Sequence, residues 1–248
     1  TDGSNDNTNE RLKEYPEATV LYQPRRQGKT AALNRALPYV NTPYVIFTDA
    51  NTMLNKGAIK EIIRQFSDPR VGCVAGEKRV EIQAEQGATA GEGIYWKYES
   101  ALKRLDYRLY SAVGAAGELF AIRTSLFEQM PPDTLLDDFI LSLRIAMRGY
   151  KIAYSKEAYA LESASLNMRE EEKRKVRISA GGLQSVWRLR GLLNMFRYGI
   201  LSFQYISHRV LRWTLTPVVL FALLPLNLLL ACTGHTLYTV ILALQLAF

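Results

Sequence analysis

The sequence predicts an α/β domain followed by membrane-associated helices. Three observations support this prediction. Short apolar runs alternate with segments of helical periodicity, polar residues follow one apolar run where a strand would end, and the last part of the chain is apolar over long stretches. With 248 residues, 48% hydrophobic and 22% charged, the chain can bury a sizeable core and is not disordered.

The first elements predicted are a loop, a strand and a helix. Residues 1–10 are rich in Asp, Asn, Gly, Ser and Thr, which is typical of a loop. Residues 18–22 predict a short strand, and residues 29–37 predict a helix that a proline ends. Residues 44–47 predict a buried strand that runs into the polar residues 48–51, and ligands of open α/β sheets bind at this end of the strands.

The alternation continues further along the chain. The predicted strands are residues 71–75, 118–122 and 150–154, and the predicted helices are residues 59–66, 91–110 and 137–149. Residues 114–117, Gly-Ala-Ala-Gly, allow close approach of the backbone to a ligand or a neighbouring strand. We therefore expect one α/β domain over residues 1–188.

The pattern changes after this domain. Residues 189–212 mix Leu, Phe and Tyr with arginines, which is typical of amphipathic helices at a membrane interface. Residues 213–232 are almost uninterruptedly apolar over roughly twenty residues, the length that crosses a hydrocarbon core. A turn at residues 233–236 precedes a second apolar run, and the arginines before Trp213 predict that this end faces the cytosol. The alternative is a soluble core hairpin.

Charge, cysteines and chain ends add further expectations. The formal charge of +7 suits nucleic acid, an acidic membrane surface or a phosphate-bearing substrate. Cys73 and Cys232 make no disulfide framework, which favours a reducing cytosolic compartment. The sequence starts at Thr1 without methionine and stops at Phe248 in an apolar run. We therefore expect a strand to precede Thr1, and we expect the second membrane span, which starts within residues 213–248, to continue after Phe248.

Six motifs occur in a suggestive order along the chain. They are Asp2-Gly3-Ser4-Asn5-Asp6, Gly28-Lys29, Asp49-Ala50-Asn51, residues 114–117, Asp137-Asp138 and residues 174–178. With the apolar segments downstream, they resemble the successive motifs of family 2 glycosyltransferases, which include cellulose, hyaluronan and exopolysaccharide synthases. The resemblance covers essentially the whole chain. It implies a GT-A type mixed sheet flanked by helices, followed by interfacial and transmembrane helices.

The resemblance assigns the first two motifs to the donor nucleotide. By it, Asp2 contacts the nucleotide and Lys29 lines the same pocket. The alternatives are an Asx turn for Asp2 and a solvated lysine at a helix start. A P-loop is excluded because its first glycine falls at Gln23, and an EF-hand is excluded because Asn7 and Lys13 stand where glycine and glutamate are required.

The third motif is similar to the D-x-D motif of the family. The resemblance implies that Asp49 and Asn51 hold Mg²⁺ or Mn²⁺ against the diphosphate. Asn51 would offer a carbonyl oxygen and no charge. The alternative is a strand that merely ends in turn residues.

The pair Asp137-Asp138 is similar to the E/T-E-D motif, which implies that Asp138 is the general base. Gly117 and Asp137 would then lie in the region of the acceptor and the diphosphate. The alternative is that both carboxylates only cap a helix. Since the helix dipole lowers the pKa of a carboxylate, burial or repulsion from Asp137 must raise the pKa of Asp138 if it is the base.

Residues 174–178 are similar to the Q-x-x-R-W signature of processive members. Arg174 replaces the glutamine and Ile178 replaces the tryptophan, whereas Arg177 is retained and is implied to bind the diphosphate. The missing indole argues against processivity. Gln184 and Trp187 lie just beyond and are candidates for the acceptor region, although buried packing is the more ordinary role for Trp187. A charged helix face is the alternative for the segment.

The resemblance thus implies an inverting glycosyltransferase. It would move a sugar from a nucleotide-diphosphate sugar to a hydroxyl of a glycan or lipid acceptor, with its catalytic domain on the cytosolic side of the plasma or inner membrane and without a nucleic-acid partner. Two alternatives stay open. The altered signature at residues 174–178 would suit a non-processive transferase, and Asn51 and Asp137 would suit a membrane-anchored nucleotide-binding protein without turnover.

Overall fold

A mixed β-sheet forms the centre of the part that precedes the apolar helices. The computed structural model of the chain describes residues 1–81, 88–163 and 168–247. Within them the strands are β1 (Tyr44–Thr48), β2 (Thr52–Leu54), β3 (Val71–Glu81), β4 (Leu119–Arg123) and β5 (Lys151–Ser163). Their order is β1-β4-β3-β5-β2; β3 and β5 are parallel, and the other neighbouring pairs are antiparallel. The predicted α/β class is confirmed.

Six helices precede the apolar part of the described chain. They are α1 (Thr8–Leu12), α2 (Lys29–Ala36), α3 (Ala58–Gln65), α4 (Ala88–Leu109), α5 (Asp137–Met147) and α6 (Met168–Arg188). Helix α2 ends before Pro38 as predicted, in a 3-10 turn over Leu37–Tyr39. Helix α5 begins at Asp137 as predicted, and the chain leaves it through Gly149, whose φ of +92° suits glycine after a helix end.

Both faces of the sheet are covered, because successive residues of a strand point to opposite faces. On one face Phe120 and Ile122 of β4 pack in a core that includes Ile140 of α5. On the other face Ala121 packs in a second core with Ile62 of α3. Burial on both faces explains why the strands read as continuous apolar runs in the sequence.

Some predicted strand bounds are corrected by the structure. Residues 18–22 are not a strand: Val20 and Tyr22 are 42% and 57% exposed, and pairing is limited to a single bridge between Gln23 and Asp2. Strand β2 was not predicted, because three residues at a sheet edge carry no periodic signal. Strands β3 and β5 are longer than predicted, since their polar ends pair with each other beyond the buried core.

Helices follow α6 to the end of the described chain. They are α7 (Met195–Tyr198), α8 (Ile200–Tyr205), a π-helical turn (Ile206–Val210), α9 (Leu211–Trp213), α10 (Leu215–Ala231) and α11 (Thr236–Ala247). Segment Ile200–Trp213 is continuously helical, and we call it the linker helix. The buried Asn227 of α10 donates to Gln245 of α11 at 2.8 Å, which joins the two apolar helices.

The apolar helices differ from the predicted single span over residues 213–232. Among the described helices none is by itself long and apolar enough to cross a membrane. The linker helix and α10 reach that length and hydropathy together, across a bend of 45°. Trp213 therefore ends the linker helix and does not begin the apolar helix. Cys73 is buried and Cys232 is exposed, and both are free.

Candidate active site

The first part of the site is a cleft between the N-terminal loop and the start of α2. The bridge between Asp2 and Gln23 brings the loop to this position. Backbone N–H groups of Gln27 and Gly28 donate to Oδ2 of Asp2 at 2.9 and 2.6 Å, and the bond from Gly28 lowers the pKa of Asp2. The cleft has a volume of about 360 Å³, and its lining includes Asp2, Ser4, Asp6, Arg26, Gly28 and Lys29. Asp2 and Lys29 thus line one cleft, as predicted from their motifs.

Lys29 links this cleft to the end of strand β1. It is the first residue of α2, and its Nζ donates to Oδ1 of Asp49 at 2.7 Å. Burial disfavours the charged form, yet attraction by Asp137 and Asp49 outweighs burial and raises the pKa of Lys29. A lysine that stays protonated beside a cleft for anions can neutralise a diphosphate.

Three functional groups converge at Gly117. A Cβ atom built on Gly117 would lie 3.1 Å from Nζ of Lys29, 3.5 Å from Oδ2 of Asp138 and 3.6 Å from Oδ2 of Asp49. The absence of a side chain at Gly117 lets the ammonium and both carboxylates come together beside the loop before β4. Residues from three distant motifs therefore meet at one point.

The two carboxylates at the start of α5 are in different environments. Burial raises the pKa of Asp138 to about 7, and repulsion from Asp137 and Glu118 adds to the effect. Asp137 is 5% exposed, and its Oδ2 is buried without a hydrogen-bond partner in the described part of the chain. Burial also raises the pKa of Asp137, although Lys29 opposes it. Burial thus outweighs the helix dipole, so Asp138 can exchange a proton near neutral pH.

A buried lysine, Lys78, pairs with the carboxylate of Glu118, the residue that follows Gly117. Nζ of Lys78 contacts Oε1 of Glu118 at 2.6 Å and also pairs with Oε2 of Glu162. The Lys78 side chain is only 4% exposed. Burial would raise the pKa of Glu118, but Lys78 outweighs it and lowers that pKa, so Glu118 stays an anion near Asp138.

Asn51 belongs to the same polar network. Its Nδ2 donates to Oε1 of Glu162 on β5 at 3.0 Å. The carbonyl oxygen of the amide takes no part in that bond. Asn51 is exposed, and Asp49 beside it is partly exposed.

Helix α6 carries the remaining candidates. Arg177 is exposed on α6. Burial is the main influence on the pKa of Asp137 and raises it, and the charge of Arg177 is a smaller influence that lowers it. Arg174 makes a forked hydrogen bond to Glu171 on its own helix at 2.8 Å. The predicted burial of Trp187 is wrong: its side chain is 70% exposed at the surface of α6, with Arg190 stacked on it at 5.0 Å.

Gln184 fixes the loop that precedes the Asp137-Asp138 pair. Its Oε1 accepts from the backbone N–H of Leu135 at 3.0 Å, and its Nε2 donates to the carbonyl of Asp133 at 2.9 Å. Arg188 donates to Thr134 in the same loop at 2.5 Å. Gln184 therefore acts on the backbone that leads into α5.

Sequence reasoning missed Lys78, Glu118 and Glu162. Lys78 lies within β3 between Glu77 and Arg79, Glu118 directly precedes β4, and Glu162 lies near the end of β5; none of the three stands in a motif. No local signal marks them, because their pairing joins residues from three separate segments of the chain.

The residues at Asp49 fit a divalent cation that a substrate helps to hold. Within the described ranges no three His, Cys, Asp or Glu side chains form a complete metal site. Oδ1 of Asp49 accepts from Lys29, whereas Oδ2 lies 3.6 Å from the position that a Cβ atom on Gly117 would take. Mg²⁺ is usually held by one or two carboxylates together with phosphates of the substrate, and this donor set matches that arrangement.

Comparison with known families and curated proteins shows which proteins the chain resembles. The model of the family described as glycosyl transferase family 2 matches residues 1–130. The poly-beta-1,6-N-acetyl-D-glucosamine synthase of Staphylococcus aureus is 26% identical over 193 residues, which cover 73% of this chain and 46% of the synthase. The O-antigen chain rhamnosyltransferase WbaN of Salmonella anatum is 27% identical over 180 residues, which cover 69% of this chain and 57% of WbaN. The chain thus spans about half the length of the curated relatives it matches.

Solved structures share the fold. The mannosyltransferase PcManGT of Pyrobaculum calidifontis, determined with GDP-Man and Mn²⁺, superposes with a TM-score of 0.67 at 20% identity, over 98% of this chain and 72% of its own. Residues 1–349 of TarS of S. aureus, determined with UDP-GlcNAc, superpose with a TM-score of 0.51 at 14% identity, over 84% of this chain and 62% of TarS. This chain therefore has a GT-A type fold.

Proposed function

The chain belongs to glycosyltransferase family 2, and from that premise we propose that it moves a sugar from a nucleotide-diphosphate sugar to an acceptor hydroxyl with inversion at the anomeric carbon. One observation carries the proposal. Lys29, Asp49 and Asp138, which come from three separate motifs, bring their charged groups together beside Gly117. A cation for the leaving group and a base for the nucleophile are what glycosyl transfer requires.

The donor lies in the cleft between the N-terminal loop and α2. The carboxylate of Asp2, held by two backbone N–H groups, contacts the nucleotide. Nζ of Lys29 and the guanidinium of Arg177 neutralise the negative charge that develops on the departing diphosphate. The buried Oδ2 of Asp137 accepts a hydrogen bond from a substrate hydroxyl, because it has no partner among the described residues.

Asp138 acts on the acceptor. With a pKa of about 7, its carboxylate is ionised in a large part of the molecules at neutral pH and can still take a proton in the transition state. It removes the proton of the acceptor hydroxyl while the oxygen attacks the anomeric carbon from the side opposite the diphosphate. A single displacement in line inverts the configuration.

Asp49 would hold Mg²⁺ or Mn²⁺, with the carbonyl oxygen of Asn51 as a second donor. When bound, the cation supplies positive charge beside the diphosphate. The Mn²⁺ in the mannosyltransferase structure supports this assignment. Asp49 also accepts from Nζ of Lys29 and orients that side chain.

The acceptor and the membrane complete the proposal. The acceptor is a glycan or a lipid, and residues 189–212 lie at the membrane interface with the catalytic domain in the cytosol. Exposed apolar side chains support this arrangement: Phe196 of α7 is fully exposed, and Leu220 and Phe221 of α10 are 59% and 74% exposed. Beyond the bend at Trp213, the apolar helix α10 would enter the membrane.

The decisive experiment is a screen of nucleotide sugars against the full-length protein in membranes. Released nucleoside diphosphate and product length are measured together. We expect one donor to give release that depends on an acceptor. Binding of a donor without any release would identify a nucleotide-binding sensor instead, and products extended by one sugar only would identify a non-processive transferase.

A further inference from the structure

The end of the linker helix packs against the catalytic domain at Trp213. On one side its indole lies against α6, where a Cβ atom built on Gly182 would come within 2.5 Å of the indole ring. On the other side it meets the ring of Phe139 of α5 edge to face, with ring centroids 5.2 Å apart. Only a glycine at position 182 leaves room for the indole at this distance. The indole therefore fills the gap between the two helices that carry Asp138 and Arg177.

Phe139 is held tightly and lies next to Asp138 in the chain. The ring is 6% exposed, and a Cβ atom built on Gly114 would clash with it. Gly114 belongs to the loop that ends at Gly117, so the ring packs between that loop and Trp213. Because interiors are close-packed, a change in volume on one side of the ring moves its neighbours. Asp138 is one residue away on the first turn of α5, so its carboxylate moves with the ring.

Ion pairs fix the linker helix to α4 in one register. Glu99 of α4, 5% exposed, pairs with Arg212 and with Nη2 of Arg209 at 3.4 Å. Closer to the end of α4, Oδ2 of Asp106 contacts Nδ1 of His208 at 2.7 Å. Pairs that are this buried hold their partners in place, because breaking one leaves an uncompensated charge. The position of Trp213 is thus set from a third helix.

We propose that Trp213 is a positioning residue for the transfer reaction: its indole, wedged between Gly182 and Phe139, holds the Asp138 carboxylate in place against Lys29 and Asp49. The inference rests on the proposed function, because it assumes that Asp138 is the base. It makes the linker helix part of the catalytic unit, since the residue that supports α5 is the last one before the bend into α10.

The test compares variants of the full-length protein in membranes. In Trp213→Ala we expect kcat to fall about 10- to 100-fold, because a misplacement of about 1 Å can cost that much, while the donor KM changes less than about twofold. Trp213→Phe keeps an aromatic edge against Phe139 and should recover most of the kcat. Tyr39→Ala, which removes an aromatic side chain that is 63% exposed, is the matched control and should leave both constants unchanged.

Other outcomes overturn the inference. An unchanged kcat in Trp213→Ala refutes it, and so does a loss of donor binding as large as the loss of kcat, because that marks general damage to the fold. If Trp213→Ala does not accumulate in membranes, Trp213→Leu keeps the apolar bulk and must show the same selective fall in kcat, and an unchanged kcat refutes the inference. Failure of the proposed function is visible separately, as undiminished transfer by Asp138→Asn.

Discussion

Nζ of Lys29 lies 2.7 Å from Oδ1 of Asp49, and this contact joins the cleft at the N-terminal loop to the end of strand β1. Lys29 opens helix α2, and Asp49 follows strand β1. Both side chains and Asp138 lie within 3.1 to 3.6 Å of the position that a Cβ atom on Gly117 would take.

Replacement of Asp138 by asparagine removes the proposed base and keeps the shape of the side chain. We expect transfer to fall about 10²- to 10⁴-fold, as is typical for loss of a general base, with donor affinity within a few fold of the parent. Nucleotide release and donor binding are measured in parallel. The control is Glu128→Gln, which changes an exposed carboxylate paired with Arg148 at 3.2 Å. Unchanged turnover would show that Asp138 is not the base.

Replacement of Asp49 by alanine removes the partner of Lys29 and the proposed cation ligand together. We expect donor binding to weaken by roughly tenfold or more, because a charged hydrogen-bonding group is lost, and to stop responding to Mn²⁺. Donor affinity is measured by calorimetry with and without Mn²⁺. Asp68→Ala, at an exposed pair with Arg70, is the control. A parent protein that binds and transfers equally well in excess chelator contradicts the metal assignment.

The pH dependence of kcat/KM should have an acid limb near the pKa of Asp138, which is about 7. The base works when ionised, so the rate rises with pH through this value. The groups that act on Asp138 are Asp137, Glu118 and Lys29.

Because the Glu118 carboxylate repels a negative charge, Glu118→Gln should lower the pKa of Asp138 and shift the limb to lower pH. Because Asp137 and Asp138 influence each other's titration, the measured change in apparent pKa belongs to the pair and not to one carboxylate. A limb that stays in place in Glu118→Gln contradicts the electrostatic link.

Replacement of Lys78 by methionine should destabilise the protein. It leaves Glu118 and Glu162 near each other without their common cation, and breaking a buried pair in this way costs about 3–5 kcal/mol. Thermal unfolding of the purified protein is the measurement. Lys13→Met removes an exposed pair with Glu10 at 3.2 Å and should cost less than about 1 kcal/mol. Equal stability of the two variants would contradict the role given to Lys78.

Cysteine labelling tests the topology of the apolar helices. In a protein in which Cys232 is replaced by serine, Phe196→Cys should react only from the cytosolic side and Thr233→Cys only from the opposite side. The reason is that transfer of the apolar side chains of α10 into hydrocarbon is favourable by more free energy than its few polar side chains cost. Charged residues, each of which costs about 2.5 to 3.5 kcal/mol on insertion, are absent from Leu215–Ala231. Labelling of both positions from one side would contradict the spanning arrangement.

Several features could be predicted from the sequence because their causes are local. The start of α5 at Asp137 and its end shortly before Gly149 follow from local preferences at helix ends, and the buried strand before Asp49 follows from its apolar run. The family followed from the order of its motifs. Asp2, Lys29, Asp49 and Asp138 became candidates this way, because each stands in a motif.

Other features needed the tertiary structure, because they depend on residues far apart in the chain. The cation between Glu118 and Glu162 comes from Lys78 on a different strand, and only the pairing of β3 with β4 and β5 brings the three together. From the sequence, Trp213 is predicted to be the first residue of an apolar span, since a long run with few polar residues follows it. Its actual place against Phe139 was decided by packing, because a glycine at position 182 leaves a gap that only a side chain from another helix can fill.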